Sequence, residues 1–542
     1  MKKNIKFLSL LIVVLSTTLS SCIFINPDKI PILSSSYQTS QTNTKVDRDV
    51  EYKTPDYPSN FTKSNLTKDN IGLGLGSRYL PSTGNCKVLV IPIEFSDGNK
   101  YTSSQLQAIN NCFFGDENNT GWESVSSFYK KSSYNKLNIS GQVTSPVTSS
   151  YSLRNISSMY NKNEDYDYLS VVNNILYNAV KSISSSVNLD DYDVDSDGYI
   201  DGVWLVYNYD YNRANGNDIF WAFTSWQDSQ DKINNKYLNN FAWASYSFME
   251  NSSYTSMFDS IVNTSDSHTF VHETGHMLGL DDYYTNTRYS NSRAYESPVG
   301  AIDMMDNNVI DHMAYSKYFL NWINPTVIDE DYLASHSNTI TINSLEKTGE
   351  SYILPLYQNN NKKYNDTPFD EYLILETYTP TGLNQADSLV AYQGGNIAPS
   401  ITGLRVYHVD ARIGKITVDS STRRLVWDGY SYDKIPVNDD DYLAYYYLYS
   451  NESSRSYGTL IDDEKYSYYR TRLVSILSKG QQKNTSLNPI TNNSLYTVGD
   501  KVLLPGGYYS DFKFDDGNKT KYGFEVTAID NNNSVTIKLE TL

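Results

Sequence analysis

Residues 271–284, V-H-E-T-G-H-M-L-G-L-D-D-Y-Y, set His272, Glu273, His276, Gly279 and Asp282 at fixed offsets. On a helix, positions four apart share one face a turn apart, so His272 and His276 can present their imidazoles to a single metal ion. Glu273 follows the first imidazole, where its carboxylate can reach a water beside the metal and act as a general base. Gly279 can take the left-handed conformation that ends a helix, and the returning chain then offers Asp282 as a third, oxygen ligand. The fourth position stays open, which separates a catalytic zinc from a structural one, so the expected cofactor is Zn2+. Asp281 competes with Asp282 for the third place, and spacing favours Asp282. His268 shares the ligand face but is excluded, because a fourth protein ligand would close the site.

Outward from this stretch, the N-terminus fixes the compartment. Residues 1–22 open with Lys2, Lys3 and Lys6 and run into an apolar segment ending L-S-S-C. The run is short for a spanning helix, which needs about 20 apolar residues, and reads as a secretory signal over residues 1–21. The ending resembles the bacterial lipobox, making Cys22 the lipidated first residue of a chain anchored to the bacterial cell membrane and facing outside. Without residues 1–21 the chain holds 41 basic against 62 acidic residues, a net charge of −21, which disfavours nucleic acid as a partner. Residues 22–85 are rich in Ser, Thr, Asn and Lys and read as a flexible stalk with room for a pro-segment. Cys86 and Cys112 are the candidate pair for one disulfide.

K-V-L-V-I-P-I-E-F-S-D, from residue 87, is the apolar run of a central strand buried on both faces, and a folded domain over residues 86–325 starts there. Helices are expected at 105–111, 124–131 and 165–184, the last with Val172, Ile175, Leu176 and Val180 on its apolar stripe. Next, D-V-D-S-D-G-Y-I-D alternates Asp193, Asp195 and Asp197, with Gly198 for a tight turn and Asp201 at the ninth position. This is the layout of a Ca2+ loop. Its twelfth position is Trp204 instead of Glu, so it is expected to enter a strand and to serve structure. Trp221, Trp226 and Trp243 are candidates either for a cleft lining or for ordinary core. Beyond the histidines, G-A-I-D-M-M-D at 300–306 offers Met305, or alternatively Met304, as an apolar floor beneath the metal. Tyr315 is the candidate donor to a transition state. Residues 326–542 alternate apolar and polar over short strands and predict β-rich domains of sandwich type, with His408 in a structural place.

Taken together, H-E-x-x-H-x-x-G-x-x-D and its downstream Met resemble the immune inhibitor A-type secreted zinc metalloproteases, a metzincin-like family. V-L-V-I-P-I-E-F-S-D, S-V-S-S-F-Y-K-K-S-S-Y-N-K-L-N-I-S-G-Q-V, the aspartate loop, D-M-M-D, A-Y-S-K-Y-F-L-N-W-I, E-Y-L-I-L-E-T and G-L-R-V-Y-H-V-D follow in that family's order over residues 87–410. The resemblance implies an α+β fold: a metzincin-like domain with a twisted mixed sheet and an active-site helix, then all-β domains. It implies His272, His276 and Asp282 as zinc ligands, Glu273 as base, Met305 as the Met turn, and an extracellular protein or peptide as substrate. Two departures stand out: Asp281 where Pro is common, and Asn135 where Gly is usual. The rival reading is a surface-anchored binding or adhesion protein with an inert metal site. Retention of Glu273 argues against it, since a purely structural site needs no base.

Overall fold

The computed structural model describes residues 78–411 and 473–542, apart from short segments of which 251–264, 285–296 and 480–488 are the longest. It also gives backbone strands at Ser20–Ser21 and within residues 413–447. Cys22, the stalk up to residue 77 and most of the acidic Tyr-rich stretch after residue 436 lie outside the described residues. The fold is mixed α/β with several sheets, of α+β class. Among the described residues no helix is long and apolar enough to cross a membrane.

The apolar run at residue 87 forms the strand Gly84–Glu94 at the heart of the first sheet. It pairs in parallel with Leu137–Val143 on one side and Val203–Tyr207 on the other. Val203–Tyr207 pairs in parallel with Asn240–Ser245, and Phe223–Trp226 closes that side antiparallel. Because side chains alternate along a strand, Leu89, Ile91 and Ile93 face the helix Tyr168–Ile183, while Val88 and Val90 face the other layer. That other layer holds the helices Ser103–Phe114, Val125–Ser132 and His268–Met277. At the turn after Val125–Ser132, Tyr134 and Asn135 have φ of 56° and 63°. Asn tolerates this left-handed region, so Asn135 can hold the turn.

A second sheet orders Thr326–Val327, Ser351–Gln358, Glu371–Tyr378, Gly403–Asp410 and Val474–Ile476. One face, with Leu354, Leu373, Leu375, Leu404 and Val406, packs on a third sheet carrying Ile340, Phe524, Ile537 and Leu539. The opposite face, with Tyr372, Ile374, Tyr407 and Val409, belongs to the same apolar cluster as Val271, Met305 and Tyr315. The core therefore runs unbroken across residue 325, and the C-terminal sheet forms a wall of the layer that holds the histidines. Among the described residues of 326–542 most regular elements are strands, with short helices such as Glu330–Ser335 and Gln385–Leu389 added to the expected β pattern.

The expected disulfide is absent: Cys86 and Cys112 are each buried thiols. Cys86 lies on the first strand and Cys112 on the helix packed over it, both within one apolar cluster. They act as small hydrophobes there. Burial, with the charge of Asp266, pushes the Cys112 thiol well up, which keeps it protonated.

Candidate metal centre

The histidine helix, His268–Met277, is buried along its length, and side chains from four elements hold it. Tyr129 Oη donates to Val271 O at 2.7 Å and Asn240 Nδ2 to Met277 O at 3.0 Å. Trp204 Nε1 donates to Thr274 Oγ1 at 3.3 Å, and Thr224 Oγ1 to Glu273 O at 2.8 Å. The helix stops at Gly279, whose φ is +102°. Leu280 N bonds to Gly275 O at 3.0 Å and Gly279 N to His276 O at 2.8 Å, the paired bonds of a Schellman ending. The chain then turns back and Asp282 returns to the helix.

His272 Nε2, His276 Nε2 and Asp282 Oδ1 converge: the two nitrogens are 3.1 Å apart, and the carboxylate oxygen lies 2.9 and 3.2 Å from them. All three residues are fully buried. His272 Nδ1 is 2.8 Å from Met304 O and His276 Nδ1 is 2.7 Å from Leu280 O. A carbonyl only accepts, so each Nδ1 carries a proton, and each Nε2 points at the carboxylate, toward which it either donates a proton of its own or offers a lone pair to a shared cation. Such a cluster in a dry interior is settled by positive charge, either protons on the imidazoles or a bound cation. Ligand atoms around a tetrahedral zinc stand about 3.3 Å apart, so this triangle fits that ion closely. The electrostatics agree. Burial opposes protonation of His272, yet the hydrogen bond and charge of Asp282, with Glu273 and Met304 O, outweigh it and raise its pKa. Burial likewise opposes ionisation of Asp282, but the two imidazoles hold it well below the usual carboxylate range. The cluster takes Asp282; the buried Asp281 stands outside it.

Glu273 is fully buried, and its Oε2 lies 3.0 Å from Thr224 Oγ1 on the strand Phe223–Trp226. Both methionines contribute, by different atoms. Met304 supplies the carbonyl that orients His272, while Met305 packs its side chain against Gly275, the residue before His276. A Cβ at Gly275 would come within 2.4 Å of Met305 Sδ. Tyr315 is buried in the apolar cluster with its ring 6.3 Å from that of Tyr283, the residue after Asp282. The buried His268 lies outside the three-atom cluster, its ring 6.1 Å from His272 and 4.6 Å from Tyr392. Tyr129, Thr224 and Asn240 escaped the sequence reading because an ordinary residue becomes a peg only through tertiary contact.

Elsewhere, the carboxylates of Asp193, Asp195 and Asp197 gather within 4.8 Å of one another. Asp193 Oδ1 is buried with no hydrogen-bond partner, while its Oδ2 meets Lys236 Nζ at 2.5 Å. Asp201 stays outside this trio and accepts from Val194 N at 2.9 Å, closing the loop. Burial and the neighbouring carboxylates push its pKa up to about 7. As the sequence predicts, the loop enters a strand, and there Trp204 points into the core, between Phe113 and Phe270. Trp226 and Trp243 are buried core residues donating to Arg78 O and Ile219 O, while the half-buried Trp221 sits edge-on to Phe248. His408 is buried, 2.9 Å from Glu371 Oε1 and flanked by Phe512 and Phe514. No known family model matches this chain and no curated protein matches it, so the chemistry of the site rests on its own residues.

Proposed function

We propose that this chain is a zinc-dependent endopeptidase of metzincin-like type, acting outside a bacterial cell on protein or peptide substrates. The observation that carries the reading is the buried triangle of His272 Nε2, His276 Nε2 and Asp282 Oδ1, with Glu273 on the same helix. His272, His276 and Asp282 would hold the ion. Zinc so held would supply Lewis acidity for a scissile carbonyl and would lower the pKa of a water toward neutrality. Glu273 takes the water's proton and delivers it to the leaving amine. Met304 O and Leu280 O keep both imidazoles in the tautomer that leaves Nε2 for the metal. Thr224 steadies the Glu273 carboxylate and lies on the strand at the sheet edge, whose outer side pairs with the two residues Ser20–Ser21.

Zinc analysis of the full chain, with casein cleavage before and after zinc is added, tests the reading. One zinc per folded chain with metal-dependent cleavage supports it; a folded chain that takes up no zinc sinks it. The anchoring proposed for Cys22 predicts that Cys22→Ser moves the chain from the membrane fraction to the medium; continued membrane retention would remove the lipid reading.

The aspartate loop is proposed as a structural Ca2+ site, supported by the unpartnered Asp193 Oδ1. Lys236 already offsets part of its charge, so binding belongs to the weak extracellular range of about 10⁻⁴–10⁻³ M. Millimolar Ca2+ is expected to raise the thermal midpoint by several degrees, and Asp195→Asn with Asp197→Asn to abolish the rise. An equal rise in that variant would rule out the loop.

A further inference from the structure

We infer that Glu376 and Arg405, on the C-terminal sheet, are positioning residues for the metal centre, holding both ends of the loop that carries Met304 and Met305. The inference rests on the zinc reading above. It concerns residues far from the histidines in sequence.

Glu376 and Arg405 face each other across the strands Glu371–Tyr378 and Gly403–Asp410. Both are buried and their charged groups form an ion pair. Each also reaches the loop. Glu376 Oε2 accepts from Ala314 N at 2.6 Å, where the loop becomes the helix Ala314–Phe319. Arg405 Nη1 donates to Ile302 O at 3.4 Å, where the loop begins. Within the loop, Asp303 accepts from Met305 N at 2.8 Å and from Met313 N at 2.7 Å, tying its ends together. The clasped loop has two outputs at the site. Met304 O orients His272, and Met305 O accepts from Tyr283 N at 2.8 Å, next to Asp282.

A buried ion pair gives little net stability, because desolvating both charges offsets their attraction. It does fix direction, since the planar guanidinium can serve a carboxylate and a carbonyl together only in one arrangement. The burial therefore makes sense as geometry: the sheet sets the loop, and the loop sets an imidazole and a carboxylate.

The test uses the full chain and reads the zinc dissociation constant by chelator competition, beside the thermal midpoint of the metal-free protein. Arg405→Lys keeps the charge but loses the fork and is expected to weaken zinc binding about 10-fold, as removal of a ligand's supporting partner does. Glu376→Gln, which keeps the volume and an acceptor for Ala314 N, gives the same reading where Arg405→Lys does not fold. The control is Leu373→Ala, on the same strand but facing the third sheet. It is expected to lower the midpoint and leave the zinc constant within about twofold, because a cavity there costs stability without moving the loop. Unchanged zinc binding in the folded positioning variants, or equal weakening in Leu373→Ala, overturns the inference. A folded wild-type chain that takes up no zinc overturns the metal centre itself, which separates the two failures.

Discussion

Glu273→Gln is expected to lower kcat/KM for peptide hydrolysis by about 10³-fold, roughly 4 kcal/mol of barrier, while zinc content stays at the wild-type level. The substitution is nearly isosteric in a fully buried place. The glutamine carbonyl can still accept from Thr224 Oγ1, which lies 3.0 Å from the carboxylate now. The proposed zinc ligands are untouched, so only the proton acceptor is lost. An amide cannot take a proton from water near neutral pH, and nothing in the geometry of His272, His276 or Asp282 replaces it. The measurement is kcat/KM on a fluorogenic peptide with zinc stoichiometry in parallel. A variant that keeps more than about a tenth of wild-type activity would show that Glu273 is not the base. A wild type that binds zinc and is as silent as the variant would instead favour the adhesion reading.

What the sequence made legible was local. The offsets His272, His276, Gly279 and Asp282 follow from helix geometry and one glycine, and the structure converts them into three atoms about a common point. The apolar run at Val88–Ile93 could only be a strand covered on both faces, and the stripe of the helix Tyr168–Ile183 could only face a core. The helix expected over 105–111 in fact spans Ser103–Phe114. Its true start was signalled by the T-x-x-Q capping box of Thr102 and Gln105. Other features depended on which distant segments meet. Nothing in the neighbourhood of Tyr129, Thr224 or Asn240 reveals that they bond to one buried helix. The pairing of Glu376 with Arg405 needs the register of two strands, and a disulfide guess from Cys86 and Cys112 fails because spacing carries no information about the core they share. The boundary placed at residue 325 followed a real change of pattern, from mixed elements to short strands. Pattern does not report which faces touch, and the C-terminal sheet shares the cluster that holds Met305.

Asp282→Asn and Asp281→Asn are expected to separate sharply. Zinc binding by four ligands amounts to about 10–16 kcal/mol, so losing one anionic ligand should weaken it by about 10²–10³-fold. Asp281→Asn removes a neighbouring charge outside the cluster and should change the constant by less than about 10-fold, the low end for a partner that does not ligate. Stability of the metal-free chain should fall as well. In the wild type, His272 Nε2 and His276 Nε2 face Asp282 Oδ1 at 2.9 and 3.2 Å, and without a metal a protonated imidazole and the carboxylate stabilise each other. An asparagine amide at residue 282 carries no charge and gives up that attraction. Asp282→Asn should therefore lower the metal-free thermal midpoint and remove most of the upward shift that zinc produces. Chelator competition and thermal melts with and without zinc give both readouts on the same samples. Equal zinc constants for the two variants would mean that Asp282 pairs with protonated imidazoles as a structural ion pair and does not belong to a zinc shell.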